Sequence, residues 1–232
     1  MTPRLVLFDI DGTLLSAGGV SSRALVDALM ETFGAVGPLA GYDYSGKTDP
    51  QIVRELMRGA GFSDEEIEAL RETALERYRS RLLEVLRPEH VVSLPGVGPL
   101  LEALAATTGV TLGLLTGNLE PCARAKLGPL DANRHFPFGA FGSDHEDRYR
   151  LPALAVARAR ELTGREFAGK RVVIVGDSVH DVLCGRGLGV RAVAVATGRT
   201  PSRRLAAESP DALLDDFSQT EAALRAILEG PA

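Results

Sequence analysis

The chain has 232 residues, 45% apolar and 25% charged, which suits one sizeable core or a core with a smaller inserted domain. Its 26 basic and 31 acidic side chains leave a formal net charge of −5, so there is no general basic surface and nucleic acid is not expected as the main partner. No apolar run approaches the ~18 residues of a membrane span, the N-terminus lacks the pattern of a signal peptide, and the two cysteines, Cys122 and Cys184, fit neither a metal knuckle nor a disulfide framework. A cytoplasmic, reduced protein that does not bind membranes is expected.

In chain order, Arg4–Phe8 is a short run of Val, Leu and Phe that ends at a Gly turn, and it reads as a buried strand. The same pattern returns in GVTLGLLTGN (Gly109–Asn118), KRVVIVGDS (Lys170–Ser178) and VRAVAVATG (Val190–Gly198), and more weakly in DALLDDF (Asp211–Phe217). Continuous apolar strands are what a parallel sheet covered on both faces requires. Helical spacing fills the intervals at Pro95–Thr108, Leu119–Gly128, Pro152–Gly164 and His180–Gly189, and again at Ser218–Gly230. The alternation predicts a doubly wound α/β fold.

One interval breaks this rhythm. About eighty residues after the first strand carry no convincing strand, only helical stretches at Ser21–Gly34, Thr48–Gly61 and Ser63–Leu86, the last opened by a Ser63/Glu66 capping box. The expected organisation is a core of residues 1–16 and 88–232 with a helical domain, 17–87, inserted after strand one.

Ligands of open α/β sheets bind at the carboxyl ends of the strands. Asp9 and Asp11 end the first strand, Thr116-Gly117-Asn118 the second, and Gly176-Asp177 the third, with Asp181 four residues on. A lone Asp after a strand is commonly a turn former or helix cap. Asp9, however, precedes the turn, and Asp9 and Asp11 fall on one side of an extended segment. Carboxylates so close repel, and burying them is costly without a cation. Three acids with oxygen-only donors suit Mg²⁺. A calcium loop counted from Asp9 would need Gly and Glu where Leu14 and Val20 stand, so that reading fails.

Asp9-Ile10-Asp11-Gly12-Thr13, Thr116, a basic residue ahead of a helix, and Gly176-Asp177-Ser178-Val179-His180-Asp181 resemble, in order and spacing, the four motifs of the haloacid dehalogenase superfamily. The insert lies where that family carries a type 1 helical cap, and the resemblance to the phosphoglycolate phosphatase-like branch spans nearly the whole chain. It implies a Rossmann-like core and a Mg²⁺-dependent phosphatase acting on a small phosphorylated metabolite. Asp9 would be the nucleophile that becomes an aspartyl-phosphate, and Asp11 the general acid and base. Asp9, the main-chain carbonyl of Asp11, and Asp177 would hold Mg²⁺, with Asp181 behind them orienting the basic residue or a metal-bound water. Thr116 and Gly117, with Asn118 beside them, would meet the phosphoryl group.

The third motif departs from the family's Lys-Pro. SDHEDRYRLPALAVA (Ser143–Ala157) has no lysine. Counting back from Gly164 points to Arg150, whereas the Asp-Arg followed by Leu-Pro points to Arg148, and Arg is not a neutral exchange for Lys. In the insert, YSGKTDPQIV (Tyr44–Val53) resembles a cap loop that faces the active site, which would bring Lys47 to the substrate, with Thr48 or Asp49 capping the helix that follows. Alternatives are a phosphomutase of the β-phosphoglucomutase type, a dehalogenase, against which Asp11 argues, and a non-catalytic phosphometabolite-binding protein. A monomer or homodimer is expected.

Overall fold

The computed structural model describes residues 3–229. Its elements in chain order are β1 (Arg4–Phe8), β2 (Leu15–Ser16), α1 (Val20–Phe33), α2 (Asp49–Gly59), α3 (Asp64–Val85), β3 (Val92–Ser93), α4 (Val97–Ala106), β4 (Val110–Leu115) and α5 (Glu120–Leu127). There follow β5 (Gly139–Ala140), α6 (Leu151–Thr163), β6 (Val172–Gly176), α7 (Val179–Cys184), β7 (Arg191–Val195), α8 (Ser202–Ala207), β8 (Ala212–Leu214) and α9 (Thr220–Leu228). The five strands expected from the sequence are all present, and the expected helices match to within a few residues except the one expected over His180–Gly189, which ends at Cys184 and gives way to a 3₁₀ turn at Arg186–Leu188. The end expected for the last helix, Gly230, lies outside the described residues.

Six strands form one parallel sheet in the order β5-β4-β1-β6-β7-β8. The chain builds from β1 towards β4 and β5 on one side, then returns to β6 and proceeds to β7 and β8 on the other. The order reverses between β1 and β6, and a crevice opens there at the carboxyl ends of the strands. Phe8 is level with Leu114 on β4 and Val175 on β6, so the residues that follow these strands emerge together.

Alternate side chains of the sheet feed two apolar layers, as the strand pleat requires. Val6, Phe8, Val173 and Val175 pack with Leu100, Leu104, Phe217 and Ile227 under α4 and α9. Leu5, Leu7, Val172 and Ile174 pack with Leu151, Ala155 and Ala159 of α6. Burial on both faces explains why these strands read as unbroken apolar runs rather than as alternation.

The insert forms its own apolar layer from α1, α2 and α3, with Leu25, Leu29, Leu56, Met57, Ile67, Tyr78 and Leu82 buried. Thr48 caps α2, accepting from the Gln51 amide at 3.2 Å. Ser63 and Glu66 form the expected capping box on α3. The layer is not self-contained, because Leu119 and Cys122 on the core side complete it. The chain leaves and re-enters the core through an antiparallel ribbon in which Leu15 pairs with Ser93 and Ser16 with Val92. Both cysteines are free and buried. Among the described residues no helix is long and apolar enough to cross a membrane.

Leu29 is fully buried between α1 and its neighbours. Leu29→Ala should destabilise the protein by about 2–5 kcal/mol, read from urea denaturation, because the helices cannot fully close over the lost volume.

Candidate active site

The loop after β1 is built to present carboxylates. The Asp9 amide donates to the Val175 carbonyl at 3.0 Å, which carries the sheet pairing one residue past the strand. The chain then turns: the amides of Thr13, Leu14 and Leu15 all donate to the Ile10 carbonyl. Gly12 makes this possible at φ +86°, and a Cβ there would lie 2.6 Å from an Asp177 oxygen. Thr13 Oγ1 donates to Asp177 Oδ1 at 3.0 Å, so the β1 loop and the end of β6 are tied directly.

Asp9, Asp177 and Asp181 are all buried, and each offers an oxygen within 4.8 Å of the others. Arg148 reaches into this group from the turn before α6, and its side chain is 1% exposed. One nitrogen, Nη2, donates to Asp9 Oδ1 at 3.0 Å and to the Leu115 carbonyl at 3.1 Å, and it also contacts Asp181 Oδ1. Asp181 Oδ2 in turn accepts from the Ser178 amide and hydroxyl, at 2.9 and 2.6 Å, as the capping box of α7. Arg150 does not enter the site. Its side chain is 69% exposed and its nearest carboxylate is Asp147, at 4.0 Å. A turn of 3₁₀ helix over Arg148–Arg150 points the first arginine inward and leaves the second in solvent.

The electrostatics are unbalanced. Burial, opposed by Arg148 and reinforced by Asp181, pushes the Asp9 carboxyl up to about 7. Burial and then the neighbouring Asp9 and Asp181 hold Asp177 well above the usual carboxylate range. Burial disfavours charge on Arg148, but Asp181 and Asp9 outweigh it. Fully ionised, the three carboxylates would exceed the one guanidinium by two negative charges, a surplus that adds to burial in raising Asp9 and Asp177 and that a divalent cation on oxygen ligands would match. The residues present therefore fit Mg²⁺.

Asp11 takes a different partner. Lys126, on α5 and only 2% exposed, donates to Asp11 Oδ2 at 2.7 Å and to Asn118 Oδ1 at 2.6 Å. Burial disfavours its charge, yet Asp11 and then Asp49 hold its pKa above the usual lysine value. Asn118 Nδ2 donates to the same Asp11 oxygen at 2.7 Å and to Thr116 Oγ1 at 2.8 Å. Sequence reasoning missed Lys126. Its signal was a lysine among Ala123 and Leu127 on the buried side of a helix, and spacing alone does not show what such a residue reaches.

The insert closes over this edge. The Asp49 amide donates to the Gly117 carbonyl at 2.8 Å, and Asp49 Oδ2 accepts from the Leu119 amide at 2.8 Å. Burial raises the Asp49 carboxyl to about 6 against the pull of Lys126 and that amide. A Cβ on Gly117 would sit 2.0 Å from the Lys47 carbonyl, so glycine is what allows the two loops to touch. Glu146 accepts from Arg54 at 2.5 and 2.9 Å and from Arg71 at 2.7 Å. Lys47 lines the enclosed space, but its ammonium donates to Glu55 at 2.5 Å and lies 4.3 Å from the Tyr42 ring centroid. The resulting cavity is about 370 Å³, lined by Asp9, Asp11, Thr116, Asn118, Arg148 and Asp177 from the core and by Tyr44 and Lys47 from the insert.

A family model of haloacid dehalogenase-like hydrolases matches residues 6–195. Given that span and the site just described, the chain belongs to the haloacid dehalogenase-like hydrolases, and it is an enzyme of that class. More particularly, it is 30% identical over 225 residues to phosphoglycolate phosphatase 1 of Pseudomonas aeruginosa, covering 93% of this chain and 77% of that one. It is 31% identical over 232 residues to the phosphoglycolate phosphatase of Agrobacterium fabrum, covering 95% and 91%. The crystal structure of a predicted phosphatase from Clostridium acetobutylicum superposes with a TM-score of 0.73 at 16% identity, over 97% of this chain and all of that one, which shows a shared fold.

Arg148 uses a single nitrogen for its three contacts, as a lysine ammonium could. Arg148→Lys should therefore keep the fold and lose only about tenfold in kcat/KM, whereas Arg148→Met should lose roughly 10²–10³-fold, measured on any phosphoester the enzyme turns over.

Proposed function

We propose that the protein is a phosphoric monoester hydrolase that passes the phosphoryl group of a small soluble phosphoester first to Asp9 and then to water. The observation that carries this reading is the buried Asp9 carboxylate, at the switch point of the sheet, with Arg148 on Oδ1 and a second carboxylate, Asp11, two residues away at the cavity wall. The relatives named phosphoglycolate phosphatase support the substrate class, and phosphoglycolate is the first compound to test.

In this reading an Asp9 oxygen attacks phosphorus as the ester P–O bond breaks, and Asp11 protonates the departing oxygen. Asp11 then takes a proton from the water that attacks the aspartyl-phosphate, and the electron pair of the acyl-phosphate bond returns to Asp9. Arg148 Nη2, 3.0 Å from Asp9 Oδ1, sets a fixed positive charge beside the point where the phosphoryl group would be transferred. Thr116 Oγ1 accepts from Asn118, which leaves its own proton to donate to the same group. Gly117 offers its amide beside it.

Mg²⁺ would be held by Asp9, Asp177 and the main-chain carbonyl of Asp11, and it would supply charge neutralisation between nucleophile and phosphoryl group. Asp181 anchors Arg148 behind the site. Residues 17–87 act as a cap over the core of 1–16 and 88–232, shedding water from a cavity sized for a small metabolite.

Phosphate release from a panel of phosphoesters tests the reaction. Asp9→Asn should fold normally and lose at least about 10³-fold in kcat, and survival of activity in that variant sinks the nucleophile assignment. Chelation with EDTA should abolish turnover and added Mg²⁺ should restore it. Turnover that persists in EDTA would remove the metal from the proposal.

A further inference from the structure

Lys126 is a buried ammonium that the reaction just described does not use. Burying such a charge is costly unless it is paired and hydrogen-bonded. Asp49 lies near enough to favour its charge, but the carboxylate it hydrogen-bonds is Asp11, and the geometry of that pairing is specific. Lys126 Nζ donates to Asn118 Oδ1 at 2.6 Å. This fixes the amide of Asn118, turning its Nδ2 towards Asp11 Oδ2 and Thr116 Oγ1. Lys126 itself donates to the same Asp11 oxygen at 2.7 Å. Two donors from two directions converge on Oδ2, and among the described residues none donates from a side chain to Oδ1. The Asp11 side chain is otherwise open, 43% exposed on the cavity wall, so without these two bonds little would restrain its rotation.

We propose that Lys126 is a positioning residue: acting directly and through the Asn118 amide, it locks Asp11 by Oδ2 so that Oδ1 is the oxygen left to exchange protons with the substrate. This deepens the phosphomonoesterase reading and rests on it. In the first half-reaction the ester oxygen leaves with the P–O electron pair and takes its proton from Asp11 Oδ1, while Asp9 gains the bond to phosphorus. In the second, water forms the new bond to phosphorus and gives its proton to the same oxygen, as the Asp9 O–P bond breaks and its electron pair returns to the Asp9 carboxylate. Lys126 touches neither substrate nor reacting atom in this scheme. Its effect is to keep one carboxylate oxygen within reach of both proton transfers, and small misplacements of such a group are expensive.

The test is a double-mutant cycle of Lys126→Met and Asp11→Asn, with phosphoglycolate, whose alkoxide leaving group needs a proton, as substrate, phosphate release as the readout and thermal melting as the check on folding. Lys126→Met alone should lower kcat by about tenfold or more and leave KM within about twofold. In the Asp11→Asn background the same change should cost less than about twofold, because the group it positions is already disabled. Losses that multiply across the cycle overturn the proposal, as does a raised KM with kcat intact, which would make Lys126 a phosphate ligand instead. Lys126→Gln keeps a donor and much of the volume. Taken through the same cycle, it should lose less than the Met variant and show the same non-additivity, and it decides the matter if the Met variant does not fold. An Asp11→Asn enzyme that retains wild-type kcat overturns the acid–base reading and this proposal with it. An impaired Asp11→Asn enzyme with additive losses overturns the role of Lys126 alone.

Discussion

Arg148 between Asp9 and Asp181 is the contact on which the active edge depends. Burying three carboxylates at neighbouring strand ends would drive the loops apart, since like charges in a poorly solvated crevice repel strongly. A guanidinium 1% exposed, shared between the acid after β1 and the acid in the first turn of α7, lets both be buried without giving up the parallel sheet. It leaves the residual negative charge that makes room for a dication. The helix that follows Arg148, α6, packs on the sheet face beneath, so the cation is held by the same apolar layer that holds the strands.

A second, parallel arrangement governs Asp11. Here too a buried cation, Lys126, meets a carboxylate of the first loop, but it comes from α5 on the opposite face of the sheet. The two aspartates, only two residues apart, are thereby pulled to different partners. Asp9 is enclosed and charge-compensated, whereas Asp11 is held by one oxygen and stays partly open to the cavity. The same loop region receives the insert through Asp49 and Gly117, and Glu146, two residues before Arg148, is gripped by Arg54 and Arg71 of the insert. The position of the helical layer is therefore coupled to the segment that carries Arg148.

The strands could be read in the sequence because burial on both faces forces unbroken apolar runs, and the carboxylates because they sit where those runs stop. What escaped has physical reasons. β5 is Gly139–Ala140, two residues with no side chains large enough to leave a pattern, paired at the edge beside Leu114 and Leu115. β2 and β3 are also two residues each, and α8 is a six-residue helix with one buried side chain, Leu205. The choice between Arg148 and Arg150 turns on a single 3₁₀ turn, which spacing in sequence cannot resolve. Lys126 was invisible for a further reason. On a short helix a lysine near the buried face looks like a snorkelling surface residue, and only the fold shows that its head meets Asp11 rather than water. Lys47 presents the reverse case, since it does line the cavity but its charge is already engaged by Glu55.

The ribbon of β2 and β3 has a consequence for how the polypeptide tolerates insertion. Because Ser16 is paired with Val92, the polypeptide exits and returns at adjacent points, and everything between them is topologically a very long hairpin loop. Loop length costs little in closure entropy once the ends are fixed. The strand order does not depend on how many residues hang from that ribbon, whereas the segment before Arg148 is tied to them through Glu146. Such an attachment behaves as a socket: the length plugged into it is free to vary, while the contacts at Glu146, Gly117 and Leu119 limit the shape it can take.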